Sequence, residues 1–100
     1  MIAPDTIKEA LCAVIDPEVG INIVDMGLVY DVVVSGSSIH IKMTMTTRAC
    51  PLGEMLSDEA RSIVRKLSPE VESVTVEMVW DPPWEPEMMS DKARAQLGVS

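Results

Sequence analysis

The sequence lacks phenylalanine altogether and carries only one tyrosine and two tryptophans among its 100 residues. Because 47% of the residues are nevertheless hydrophobic, the core has to be built from aliphatic side chains and from the eight methionines, which adapt to irregular packing. That apolar share is typical of a packed globule rather than of a disordered chain. A chain of this length predicts a single domain over residues 1–100, which dimerisation could stabilise further.

Basic residues are also scarce, with eight Lys and Arg against sixteen Asp and Glu and a formal net charge of −8. Phosphate backbones and anionic lipids attract basic proteins, so we expect neither nucleic acid nor a membrane as a partner. No basic leader with a following apolar stretch is visible, and no window is long enough to span a membrane. Two cysteines in this setting predict reduced thiols in a cytoplasmic protein rather than a disulfide framework.

Apolar periodicity predicts elements in the order α-β-β-α-β-α, which favours a two-layer α+β fold with a small mixed sheet and helices on one face. A capping box of Thr6 and Glu9 is expected to start the first helix, and Gly36-Ser37 to join the first two strands. A proline-rich arm follows the third strand, and Ser90 is expected to cap a last helix that stops at Gly98. The predicted ranges are helices at 7–15 and 52–67 and strands at 28–35, 38–46 and 73–80, with the arm at 81–86.

Cys50 lies where the second predicted strand ends and the second helix begins, directly before Pro51. Backbone N–H groups at a helix start have no internal partner and favour negative charge, so this position would stabilise a thiolate. The alternative is a buried cysteine that packs as a small apolar side chain. No C-x-x-C pair exists, so a closed zinc site within one chain is not expected. Cys12, on the flank of the first helix, is expected to be a half-buried structural thiol.

His40 is the only histidine and therefore the only imidazole that could serve Cys50 as a catalytic base. About 20 Å of strand would separate it from the Cys50 end, at roughly 3.3 Å per residue. That separation excludes a papain-like nucleophile–base pair and leaves a thiol-dependent enzyme on a small substrate as an alternative without an evident base. We expect His40 to be a solvated strand residue.

Carboxylates cluster in the first long loop, where Asp16, Glu18 and Asp25 could ligate a metal or work as acid and base. Ordinary turn chemistry, with Asp before Pro and Asn22 beside Asp25, is the favoured alternative.

Hydroxyl groups just before Cys50 form a further candidate. Thr46 and Thr47 could donate hydrogen bonds to a sulfur or an anion near the thiol, or could reflect the strand preference of β-branched residues. In the proline-rich arm, Trp84 could anchor a partner protein or could fold back over the sheet.

Four separated motifs, in one order over nearly the whole chain, resemble the PaaD/SufT-type family of iron–sulfur cluster assembly factors, also called metal–sulfur cluster biosynthetic proteins. The resemblance implies an α+β fold like the NifU C-terminal-like scaffold domains and a role in maturing iron–sulfur proteins. It places the family's characteristic cysteine on Cys50 and its acidic loop on Asp16, Glu18 and Asp25. Longer relatives, accessory to phenylacetyl-CoA oxygenase, carry a cysteine-rich tail that this chain lacks, which favours the short single-domain type. The motifs are Asp16-Pro17-Glu18, residues 23–30, residues 43–47 with Cys50-Pro51-Leu52, and Asp81-Pro82-Pro83-Trp84 with Pro86, Met89, Ser90 and Leu97-Gly98.

These features together predict a non-enzymatic assembly factor that carries iron or an iron–sulfur cluster through Cys50. Clusters usually take about four protein ligands, so a dimer, a partner or an external thiol would have to complete the shell, and binding would be labile. The partners expected are iron–sulfur scaffold or client proteins and a second copy of the chain. A cluster-free adaptor for a multi-protein assembly, which recognises its partner through Trp84, is the alternative.

Overall fold

The computed structural model describes residues 3–46 and 52–98. It has three α-helices, five strands and one 3₁₀ turn within those ranges. The elements follow the predicted α-β-β-α-β-α order, with a short additional hairpin after the first helix, and the α+β prediction is confirmed. In chain order they are α1 (Pro4–Leu11), β1 (Ile15–Asp16), β2 (Ile21–Asn22), β3 (Val29–Ser35), β4 (Ser38–Met43), α2 (Leu52–Leu67), β5 (Ser73–Met78), the 3₁₀ turn (Pro86–Met88) and α3 (Asp91–Leu97).

The main sheet has the order β3-β4-β5, with β3 and β4 antiparallel and β4 and β5 parallel. A turn at Gly36-Ser37 joins the first pair, as predicted, and α2 forms the crossover that a parallel pair requires. Alternate residues of the central strand β4 face the helices and are at most 1% exposed. They pack with the buried stripe of α2 in one core, in which the β4 members are Ile39, Ile41 and Met43 and the α2 members are Leu56, Ala60 and Val64.

The first helix differs from its predicted bounds. It begins at Pro4, whose missing N–H costs nothing in the first turn, and the residue before it makes no side-chain cap, so the predicted capping box is wrong. It ends at Leu11 rather than Ile15, which instead enters the β1–β2 hairpin opposite Asn22. Pro17 disfavours helical geometry at Asp16, the residue before it. Asp16 pairs with Ile21 in the hairpin instead.

The strands are shorter than predicted because the alternation of side chains between the two faces of the sheet stops before the predicted ends. After β4, Thr44 and Met45 are both buried, at 1% and 2% exposed, although they were expected on opposite faces. At the start of β3 the pairing shifts so that Tyr30 is an extra residue without a partner in the ladder, a β-bulge. A bulge re-aims the side chain that it carries, so Tyr30 does not follow the alternation of its strand.

Two further boundaries differ from the prediction. The strand β5 ends at Met78 rather than at Trp80. Leu67, assigned to the buried stripe of α2, is the last helical residue and is 40% exposed. No helix in the described ranges is long and apolar enough to cross a membrane.

The segment after β5 folds back over the core, and we call residues 81–90 the C-terminal strap. Its backbone at Ser90 donates to Asp25 O at 2.8 Å. The Ser90 side chain accepts from Ala93 N, and Gly98 adopts the left-handed conformation at the end of α3, so both predicted caps are confirmed. The strap thus closes against the turn that precedes β3.

Candidate functional site

The predicted thiol site lies between β4 and α2. Cys50 and Thr47 fall outside the described residues, so the proposed roles of both remain predictions. The last described residue before them is the exposed Thr46, and the first described residue after them is Leu52, which belongs to α2. In sequence, Cys50 therefore falls between β4, which ends at Met43, and the first described turn of α2 at Leu52, the context in which an activated thiol was expected.

Methionine side chains pack against the first described turn of α2. A Cβ added to the buried Gly53 would lie 3.3 Å from Met45 Cγ and 3.5 Å from Met78 Cε. The first turn of α2 therefore sits almost in contact with the ends of β4 and β5. Glycine permits that approach, and the unbranched thioethers fill the irregular gap.

The threonines before Cys50 have different environments. Thr44 is 1% exposed; its hydroxyl donates to Met45 O at 3.5 Å and has a lowering influence on the pKa of Tyr30. Thr46 is exposed, and it is the member of the predicted hydroxyl pair that the structure describes. That the hydroxyl of Thr46 contributes to the thiol site stays a prediction. The side chain of Thr44 is instead buried in the protein.

Tyr30 is a residue of this region that the sequence analysis did not single out. Its O–H donates to Pro82 O at 2.7 Å and lies 3.5 Å from Met88 Sδ. Burial raises the pKa of Tyr30, the hydrogen bond with Thr44 lowers it, and the negative charges of Asp81 and Glu85 raise it further. One side chain therefore links β3, the segment leading to Cys50 and the strap. Its signals in the sequence were its place at the end of the motif at residues 23–30 and its being the single tyrosine in a chain without phenylalanine.

The acidic loop is organised by turn hydrogen bonds. Asp16, 5% exposed, accepts the N–H of Glu18 on Oδ1 at 2.9 Å, while Glu18 itself is exposed. Asn22 Nδ2 donates to Asp25 Oδ2 at 2.7 Å, and Asp25 N donates to Asn22 Oδ1 at 2.8 Å. These bonds fit the turn-chemistry alternative. Within residues 3–46 and 52–98, no three His, Cys, Asp or Glu side chains converge where a metal could bind, and the catalytic or ligating role of the loop stays a prediction.

The remaining thiol and the histidine are engaged elsewhere. Cys12 is half-buried at the end of α1, with Sγ 3.7 Å from Lys8 O. Burial, followed by the charges of Asp25 and Glu9, raises the pKa of this thiol and keeps it protonated. His40 lies on the open face of the sheet, where Nε2 is 2.8 Å from Glu77 Oε1.

Trp84 packs against the core and is half-buried. Its indole N–H donates to Met26 O at 2.7 Å, so the polar end of the ring is used within the chain. That contact fits the alternative that the tryptophan folds back onto the protein. Its role as a partner anchor stays a prediction that concerns only the exposed part of the ring.

These features define a class of small α+β proteins in which, along the sequence, a cysteine lies between the central strand and an amphipathic helix. The model of the iron–sulfur cluster assembly protein family matches residues 4–78, and the chain belongs to this family. The resemblance inferred from the four motifs is thereby confirmed.

Individual relatives agree with this placement. The chain is 43% identical over 96 residues to the Fe-S protein maturation auxiliary factor YitW of Bacillus subtilis, covering 95% of this chain and 93% of that protein. It is 43% identical over 88 residues to the Fe-S protein maturation auxiliary factor SufT of Staphylococcus aureus, covering 87% and 99%. A crystal structure of a domain of unknown function, DUF59, from Bacillus anthracis superposes with a TM-score of 0.91 at 39% identity, over 97% of this chain and 92% of that one. The names of the two relatives describe auxiliary factors, not enzymes.

Proposed function

We propose that this protein is a non-enzymatic auxiliary factor in the maturation of iron–sulfur proteins, and that it carries iron or an iron–sulfur cluster as cargo on Cys50. Membership of the iron–sulfur cluster assembly family is the observation that carries this proposal. The sequence position supports it, because Cys50 precedes the first described residue of α2, Leu52, by two residues, and N–H groups at a helix start favour a thiolate.

The cargo would be shared with another molecule. Iron–sulfur clusters take about four thiolate ligands, whereas Cys12 is held protonated and partly buried at the C-terminal end of α1. We therefore assign the remaining ligands to a second copy, to a scaffold or client protein, or to a small external thiol. Such a shell exchanges readily, which suits transfer of the cargo rather than storage, and we place this transfer in the cytoplasm.

The direct test is anaerobic reconstitution with iron and sulfide, followed by the visible absorption spectrum. We expect a charge-transfer band in the wild type, alone or with an apo-client, that is lost in Cys50→Ser. The matched control is Cys12→Ser, which removes the other thiol of the chain and should leave the band unchanged. A spectrum without any cysteine-dependent band, with and without the client, would overturn the carrier proposal.

A second candidate is an adaptor that brings scaffold and client together without holding the cargo. The folded strap favours it, because tertiary hydrogen bonds hold an otherwise irregular segment against the core. In that case Cys50→Ser would recover iron–sulfur proteins in a pull-down as well as the wild type does. A carrier whose cargo bridges the two proteins would instead lose them when the thiol is removed.

A further inference from the structure

A groove lies between the strap, the turn before β3 and α1. It is open to solvent, has a volume of about 550 Å³ and is lined by four apolar side chains, together with Tyr30 and Lys8. The apolar side chains are Val24, Val29, Pro82 and Met88. Three separate parts of the chain thus meet at one concave surface, which is the usual setting of a binding site.

The contacts below the groove hold its walls in place. Gly27 has φ 77°, and a Cβ there would lie 2.9 Å from Met88 Cβ and closer still to the Met88 carbonyl. Tyr30 likewise holds Pro82 of the strap through the 2.7 Å hydrogen bond. Trp84 bonds to Met26 O beneath the strap. A wall fixed in this way binds without first having to order itself, which lowers the cost of association.

The rim of the groove is acidic. Asp81, Glu85 and Glu87 are exposed on the strap, and none of them forms an ion pair with a described residue. The negative charges of Asp81 and Glu85 reach Tyr30 in the groove wall. Lys8 is the one cation among the described lining residues, so the strap and lining together remain net negative.

We propose that this groove docks a segment of a partner protein that presents an apolar side chain flanked by lysine or arginine. The apolar floor accommodates the central side chain, and the strap carboxylates attract the flanking cations. This inference rests on the proposed function in one respect, because it names the surface that meets a scaffold or client. The binding itself requires no thiol.

The first test is a nuclear magnetic resonance titration of the full chain with two capped pentapeptides, Gly-Arg-Leu-Arg-Gly and Gly-Glu-Leu-Glu-Gly. We expect saturable shifts of the Gly27, Tyr30 and Met88 amides with the arginine peptide. Binding of the glutamate peptide should be about tenfold weaker, because it places two negative charges, in place of two positive ones, beside the strap carboxylates. Equal binding of both peptides, or shifts confined to other surfaces, would overturn the proposal.

Two double variants distinguish the effect of the rim charges on peptide binding from the effect of the protein's net charge. Asp81→Asn combined with Glu85→Gln should weaken the arginine peptide several-fold. The control, Glu59→Gln combined with Glu72→Gln, makes the same charge change at exposed positions on α2 and before β5, neither of which lines the groove, and should have little effect. Equal weakening in both double variants would show that only net charge matters and would refute the docking site.

A third variant distinguishes this proposal from the carrier function. Cys50→Ser should bind the arginine peptide as the wild type does, even though it is expected to lose the reconstituted absorption band. In the wild-type protein, peptide binding without a reconstituted band would retain the groove and reject the carrier, whereas a band without peptide binding would retain the carrier and reject the groove.

Discussion

The replacement of Gly27 by alanine tests the packing of the strap most directly. Gly27 has φ 77°, a conformation that costs an alanine about 1–2 kcal/mol. The added Cβ would also collide with the Met88 backbone and lie 2.9 Å from Met88 Cβ. Because a backbone cannot yield as a side-chain tip can, either the turn or the strap has to move. The substitution therefore carries a conformational and a steric cost.

The steric cost can be sized from the hydrogen bonds that the strap would lose. These are Tyr30 O–H to Pro82 O, Trp84 N–H to Met26 O and Ser90 N–H to Asp25 O, each worth about 1 kcal/mol. With the conformational cost, we expect Gly27→Ala to lower the free energy of unfolding by about 4–5 kcal/mol. Typical domains have about 5–15 kcal/mol in total, so this loss would remove a large share of the stability of the protein.

The matched control is Gly20→Ala. Gly20 has φ 72°, nearly the same backbone conformation, but a Cβ there would meet nothing within 4 Å. It should lose only the conformational cost of about 1–2 kcal/mol. Urea unfolding of both variants, followed by far-ultraviolet circular dichroism, gives the comparison. Equal destabilisation of the two variants would refute the claim that the strap packs against Gly27.

Two further predictions concern the raised pKa values. The pKa of Tyr30 is raised above its ordinary value of 10.0, so folding favours the neutral phenol, and its contribution to stability is complete below pH 10 and lost as the pH rises through the folded value. Absorbance titration at 295 nm should show a tyrosinate midpoint above that of the unfolded chain, and a midpoint at or below it would contradict the burial. The pKa of Cys12 is likewise raised, so in Cys50→Ser the remaining thiol should react with iodoacetamide at pH 8 more slowly in the native protein than in urea. Equal alkylation rates in the two states, followed by mass spectrometry, would show that Cys12 is not protected.

Several elements could be predicted because their causes are local. The stripe of α2 and the alternation of β4 repeat within a few residues, and the cap at Ser90 depends on its near neighbours. Gly36-Ser37 was recognisable as a turn for the same reason. The bounds of α1 were not, because Pro4 can start a helix and the β1–β2 pairing competes for the residues after Leu11.

The groove and its supporting contacts could not be predicted in this way. Tyr30 meets Pro82 across 52 residues of sequence, and Trp84 meets Met26 across 58. The bulge at Tyr30 changes the direction of its side chain, and no periodic pattern marks such an irregularity. Thr44, expected on the polar face of a strand that runs to Thr46, is buried, because β4 already ends at Met43.

The sequence by itself determined the order of the elements, an aliphatic and methionine-rich core, and a cysteine between a strand and a helix. Those properties follow from composition and short-range periodicity, which each segment carries alone. Only the tertiary structure decided that the strap closes over the turn at Gly27, that Tyr30 joins three segments, and that an acidic groove results. These contacts join residues far apart in the chain, and they form because packing the whole core leaves the strap one complementary surface to cover.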